Sequence, residues 1–371
     1  VGPPAGPLAI EVTFNGAAGE DIGSEEQPLA IYEDVGGTFE MTARTFTIDV
    51  AVIDVDGTPM TSFDGELALR CRPGRVVEPW TFTIEGGVAT GVEVRVEDAH
   101  GPTRIWVEDS IGENPSFTAG VSPVIRFAYP TLADVQRPNC QDLSGFLGNH
   151  VEILTEDRDL IVTHVASDGF YVTDTTDPAG SYNSMYAFTF SRPRDLVEGD
   201  KLGALDGNVT EYIAFTELGY PSFLIESSGH PLPEPTVLDD SHICGDTDTM
   251  EQYESSLIKV YGAWSDFEGA DDCESYLEYG QWPIRLDISG GECDPVAMTV
   301  VSSYTVPGLR FTECSEGRTP EPRYFEWLSG TLRHIKYADP PWIIEPRNCD
   351  DISPEARPAD CEEESEASRM H

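Results

Sequence analysis

Strand-length runs with a two-residue period fill the first third of this chain, and they leave few folds open to it. Strand-like alternation runs through Phe39-Glu-Met-Thr-Ala-Arg-Thr-Phe-Thr-Ile-Asp-Val-Ala-Val, Glu66-Leu-Ala-Leu-Arg-Cys, Trp80-Thr-Phe-Thr-Ile and Arg104-Ile-Trp-Val-Glu-Asp. The turn pairs Asp56-Gly, Asp64-Gly and Gly86-Gly separate these runs at short intervals. Successive side chains of a strand point to opposite faces, so runs of this kind bury their apolar face by stacking one sheet on another. No long helical stripe interrupts residues 9–128. A β-sandwich is therefore expected over 9–128, after a short Pro/Gly tether at 1–8.

A Pro-containing connection follows at 129–147, and a second β pattern begins at 148. Its strand-like runs are Val151-Glu-Ile-Leu, Leu160-Ile-Val-Thr-His-Val, Asp168-Gly-Phe-Tyr-Val-Thr-Asp, Met185-Tyr-Ala-Phe-Thr-Phe, Gly207-Asn-Val-Thr-Glu-Tyr and Phe223-Leu-Ile-Glu. With no long helix among them, they predict a small closed Greek-key barrel over 148–240. A more diverged copy spans 241–352, from Glu251-Gln-Tyr-Glu-Ser-Ser-Leu-Ile-Lys-Val to Trp342-Ile-Ile-Glu-Pro-Arg-Asn-Cys-Asp-Asp-Ile, with Cys-containing insertions in its middle. An internal echo, Arg137-Pro-Asn-Cys-Gln-Asp-Leu against Pro346-Arg-Asn-Cys-Asp-Asp-Ile, brackets the pair and places Cys140 and Cys349 at related junctions. Residues 353–371 read as an acidic, disordered tail.

Charge narrows the function classes. Lys and Arg number 22 against 67 Asp and Glu, a formal net charge of −45. Phosphate backbones and anionic lipid both need basic residues to neutralise them, so nucleic-acid binding and docking on acidic membranes are disfavoured. No apolar run reaches the ~18 residues of a membrane span. Hydrophobic residues make up 39 % of the chain, enough for packed cores despite the acidity.

The cysteines point to a compartment. Cys71, Cys140, Cys244, Cys273, Cys293, Cys314, Cys349 and Cys361 are widely spaced, without any C-x-x-C pair. That spacing disfavours zinc ribbons and thioredoxin-type sites and predicts disulfides in an oxidising compartment. Buried free thiols are the alternative. Connectivity stays open, although Cys244, Cys273, Cys293 and Cys314 are expected to pair within one domain. Cys361, isolated in the acidic tail, suggests a tether to the body or to another chain. The opening Val1-Gly-Pro-Pro-Ala-Gly-Pro reads as a mature terminus after signal removal.

Two resemblances sharpen the picture. The segments VAVIDVDGTPMTSFDGELAL (50–69) and GGVATGVEVRVEDAHGPTRIWVED (86–109) resemble the immunoglobulin-like repeats of bacterial surface proteins. That likeness implies a spacer or binding module. Residues Asp168-Gly-Phe-Tyr-Val-Thr-Asp, Glu198-Gly-Asp-Lys-Leu, Asn208-Val-Thr-Glu-Tyr and Gly229-His-Pro-Leu-Pro-Glu-Pro are similar to the OB-fold domains that accompany bacterial extracellular nucleases and related secreted phosphoesterases. The expected fold class is all-β, an N-terminal immunoglobulin-like sandwich plus two OB-like Greek-key barrels.

OB barrels often bind ligands on one sheet face, which here would draw on Phe170, Tyr171, Tyr186, Phe188 and Phe190 as stacking surfaces. The competing reading is that these rings fill the barrel. Sugar or a protein partner suits such a face better than nucleic acid, because basic residues are scarce. Acidic loops, Asp54 with Asp56 and Asp174 with Asp177 foremost, offer the hard oxygens that Ca²⁺ prefers, although Asp-Gly turns need no metal. The seven His are scattered, and no H-E-x-x-H, G-x-S-x-G or P-loop occurs. A non-catalytic secreted or cell-surface bacterial protein is expected, a structural or adhesive subunit that associates with itself or with other surface proteins. The rival is an accessory substrate-binding component of an extracellular nuclease or phosphoesterase system.

Overall fold

The computed structural model describes residues 9–14, 22–35, 38–109, 118–139, 141–244, 248–287, 293, 297–303, 305–335, 340–358 and 361. The protein is all-β with short helices, the longest among the described residues being the ten residues Ala270–Tyr279. Two compact units emerge: Val1–Pro130 with Pro138–Gln141 and Asn149–Glu152, and Thr131–Arg137 with Asp142–Gly148 and Ile153–His371. Both expected barrels fall within the second unit except for residues 149–152 of the first, and the connection at 129–147 is divided between the two.

Strands of the first unit are β1 (Ala9–Phe14), β2 (Tyr32–Val35), β3 (Thr38–Met41), β4 (Arg44–Ile53), β5 (Gly65–Arg72), β6 (Arg75–Val76), β7 (Thr81–Ile84), β8 (Val88–Glu97), β9 (Pro102–Asp109), β10 (Gly120–Val121), β11 (Ile125–Arg126) and β12 (His150–Glu152). One sheet runs β1-β4-β8-β6, a second runs β10-β9-β5-β7 with β11 also on β9, and β2 pairs with β3. Strand β4 shows the physical cause. Phe46, Ile48, Val50 and Val52 are buried at alternate positions, and β5 repeats the pattern with Leu67, Leu69 and Cys71. Each such side chain contributes about 1.5–3 kcal/mol on leaving water. The Gly86-Gly87 turn between β7 and β8 needs its glycines. Both have positive φ, and a Cβ at Gly87 would stand 2.3 Å from the Met60 carbonyl oxygen.

Cys71, expected as a disulfide partner, is instead a free thiol on the buried face of β5. It donates to the Pro73 carbonyl at 3.4 Å, and burial pushes its pKa up to about 12. Such a thiol is inert.

In the second unit, β13 (Leu160–Val165), β14 (Gly169–Asp174), β15 (Ser184–Phe188), β16 (Lys201–Tyr212) and β17 (Phe215–Ser227) close into a ring in the order β16-β13-β14-β15-β17, with β17 pairing back onto β16. After β18 (Thr236–Val237) the same order recurs in β19 (Leu257–Ser265), β20 (Gln281–Leu286), β21 (Met298–Val301), β22 (Tyr324–His334) and β23 (Trp342–Glu345), with β22 pairing back onto β19. In each ring one pair is parallel, β15 with β17 and β21 with β23. Ring closure removes the sheet edges that would otherwise invite pairing with other chains. The helices are α1 (Leu132–Gln136), α2 (Asp240–Ile243), α3 (Asp248–Glu251), α4 (Ala270–Tyr279) and α5 (Thr312–Ser315). Helix α1 starts at a capping box, in which Thr131 and Asp134 bond each other's backbone amides.

The insertions of the second ring are cross-linked as the cysteine cluster suggests. Cys244 pairs with Cys293, and Cys273 on α4 pairs with Cys314 on α5. Cys361 is tied to the body, the first of the two tethers expected of it: it is buried and bonded to Cys349, twelve residues back. The start of the acidic segment is tied down with it: Glu355 accepts from the Glu326 amide, and Arg357 Nε donates to the Ile352 carbonyl. Cys140 lies outside the described residues. Its echo motif shares a local bond with the other copy, since Asn139 Oδ1 accepts from the Gln141 amide and Asn348 Oδ1 from the Asp350 amide.

Candidate functional site

The aromatic face expected on the first ring is largely covered. Phe170, Tyr171 and Tyr186 are buried, and Phe188 is half-buried. Phe170 turns to Phe223 of its own ring, with centroids 5.0 Å apart. Tyr171, Tyr186 and Phe215 turn the other way and meet the second ring. Tyr171 Oη donates to Glu345 Oε2 at 3.2 Å, and the Arg333 guanidinium lies over the Phe215 and Tyr186 rings at 5.0 and 5.7 Å. Tyr186 Oη donates to Asp168 Oδ1 at 2.7 Å. The rings that would have stacked a ligand thus stack on Arg333 and one another. A remainder stays open: Phe188, Phe190 and Tyr220 form a strip with centroid spacings of 4.4 and 4.9 Å, and Tyr220 is 71 % exposed.

His164 belongs to the same interface. It is buried, stacks on Tyr171 at 5.3 Å and faces Thr331 Oγ1 at 3.3 Å. Burial, and then the positive charges of Arg347, Arg192 and Arg333 outweighing Asp351, bring its pKa down to about 3. The native ring stays neutral where the unfolded ring, titrating near 6.5, takes up a proton. Stability contributed by the neutral ring is thus fully present above about pH 6.5 and lost as pH falls toward 3. Urea midpoints at pH 7 and pH 4 should fall further for the native sequence than for His164→Gln. Equal falls would show that His164 is not held neutral.

The acidic pairs proposed for Ca²⁺ have protein partners. Asp54 Oδ1 accepts from the Asp56 and Thr58 amides at 2.9 and 3.0 Å, an Asx-turn completed by Gly57 at positive φ. Asp174 and Asp177 are brought together, but around Arg158, whose Nη1 is 3.1 and 2.8 Å from them. The guanidinium stands where a cation would.

A different carboxylate group has no such basic partner. Glu254, in the turn between α3 and β19, is 0 % exposed. Its Oε2 accepts from Gln136 Nε2 of α1 at 2.5 Å and from the Thr216 amide of β17 at 3.2 Å, whereas its Oε1 is buried without a hydrogen-bond partner. Glu251, at the end of α3, and His334, at the end of β22, lie beside it. One donor atom from each of the three falls within 4.8 Å of the others. His334 Nδ1 is 3.2 Å from Glu251 Oε2 but makes no hydrogen bond, so the pair lacks the necessary alignment. The imidazole is stacked on Trp342 at 4.3 Å. Glu211 adds a third carboxylate, accepting from the Ser144 amide and Thr216 Oγ1. Burial first, and then the Glu251 charge, raise the Glu254 carboxyl well above the usual range. Among the described residues, none of these carboxylates pairs with Lys or Arg.

Sequence reasoning missed this group. Glu251-x-x-Glu254 stands within the quoted opening motif of the second ring and His334 lies shortly before its closing one, but in a chain with 67 acidic residues that spacing carries no signal.

No protein-family model matches the chain, and no curated protein matches it.

Proposed function

We propose that the protein is a non-catalytic extracellular module of a bacterial surface, structural or adhesive, built from an immunoglobulin-like sandwich and two OB-like barrels. The observation that carries this reading is the cross-linking: three intrachain disulfides fasten the second β ring and the segment after it, as suits an oxidising compartment. The two sheets of the first unit, each with alternately buried strands, and the closed five-stranded rings of the second support the two domain assignments. The exposed Phe188–Phe190–Tyr220 strip suits a sugar ring or an apolar side chain of a protein partner. Self-association of subunits at −45 requires salt or divalent cations to screen repulsion.

The test is fractionation of the native source, followed by light scattering of the oxidised protein across NaCl and Ca²⁺ titrations. Surface or extracellular location with salt- or Ca²⁺-dependent association is expected, weakened by Phe190→Ser with Tyr220→Ser. A reduced protein in the cytosolic fraction overturns the reading. A protein that stays monomeric throughout removes the assembly role.

A further inference from the structure

We infer that Glu251, Glu254 and His334 form a binding site for one divalent transition-metal ion of the zinc or manganese class, which fastens the second ring to the first.

Three independent observations meet there. The donor set is two carboxylates and one imidazole, gathered within 4.8 Å from the end of α3, the turn after it and the end of β22. Ligands 2.0–2.2 Å from an ion stand roughly 3–4 Å apart, so a small contraction closes the set. Imidazole suits Zn²⁺ and its neighbours, while carboxylates alone favour Ca²⁺ or Mg²⁺. Second, Glu254 Oε1 is buried without a partner, and so is His334 Nδ1. An orphaned carboxylate oxygen at zero exposure costs free energy unless a proton or a cation meets it. Third, the other Glu254 oxygen is already fixed by Gln136 and the Thr216 amide. This is the outer-shell bonding that orients a metal-ligating carboxylate and leaves one oxygen to coordinate. The Glu251 and His334 side chains are 23 % and 21 % exposed, which gives the ion a way in. Half-buried Glu211 stands nearby, accepting from the Ser144 amide and from Oγ1 of Thr216, whose own amide donates to Glu254.

The link between rings follows from the chain. Gln136 and Thr216 belong to α1 and the first ring, whereas His334 ends a strand of the second. An ion on Glu254 would therefore hold both to one point.

The experiment uses the full oxidised chain, stripped with a chelator and re-equilibrated with Zn²⁺ in excess Mg²⁺, which occupies weak surface carboxylates. One retained Zn²⁺ per chain is expected, with a melting temperature that rises and saturates at one equivalent. His334→Gln should abolish retention. Gln136→Ala should weaken it about 10–100-fold through the lost outer-shell bond. Glu254→Gln gives a second readout that a purely structural carboxyl would not. The metal-free variant should melt no lower than the metal-free native chain, because a buried acid is gone, yet zinc should no longer raise its melting temperature. No retained ion, or equal zinc retention by the native chain and His334→Gln, overturns the assignment.

Discussion

Reduction of the three disulfides should unfold the second unit and leave the first unit's melting transition in place. Every disulfide among the described residues joins residues of the second unit, and the only described cysteine of the first is the free, buried Cys71. The loops closed by Cys244–Cys293 and Cys273–Cys314 span 49 and 41 residues, and that of Cys349–Cys361 spans 12. On the chain-entropy picture the longer two contribute about 4 kcal/mol each and the short one about 3. Together they rival the roughly 5–15 kcal/mol by which a domain is stable at all. Calorimetry with and without reductant should show one transition lost or shifted far down and the other unmoved. Cys273→Ser with Cys314→Ser should reproduce part of the shift without reductant. Equal movement of both transitions, or of neither, would sink the assignment.

Arg347→Met should cost about 3–5 kcal/mol, the amount typical of a buried ion pair that loses one partner. Arg347 Nε and Nη2 each bond one oxygen of Asp351 at 2.8 Å, and Ser329 Oγ donates to the same carboxylate at 2.7 Å. Both side chains are nearly inaccessible. Burial acts to raise the Asp351 pKa, but the Arg347 guanidinium and Ser329 prevail and hold it below the ordinary carboxylate range. Removing the guanidinium strands a charge in the interior. Arg347→Met with Asp351→Leu should recover most of the loss, because two apolar groups can replace a buried pair with little penalty. Urea unfolding of the single and double variants reads both effects. A single variant within 1 kcal/mol of the native chain on the scale of exposed pairs would show that the pair is solvated.

The strands that could be read from sequence were those with one wet face. In β4 and β5 the buried positions alternate, and the same alternation stands in the residues. In β13 and β14 every position is buried, so no period marks which side is which. The adjacent rings of Phe170 and Tyr171 point to opposite sides, one into the barrel and one into the second ring. A single strand's residues do not say that its outer face will be covered by a ring encoded about 170 residues later. For that reason the residues alone do not tell which rings stay open, and the aromatic strip that stays exposed takes its end residue, Tyr220, from another strand. The cysteine cluster was legible as a group because its members crowd one domain. The pairing of Cys361 with Cys349 was hidden by an acidic context that suggests disorder.

The two longer disulfide loops overlap, since Cys273 lies within the span closed by Cys244–Cys293 and Cys293 lies within that closed by Cys273–Cys314. A chain pulled lengthwise therefore cannot pay out the stretch between Cys244 and Cys314 to its full contour. Load passes through sulfur instead of through peeling strands. The first ring, which carries no such bridge among the described residues, can lengthen under tension. In flowing or shearing surroundings the molecule would combine a compliant portion with one of capped reach, and the cap would hold for as long as the surroundings stay oxidising.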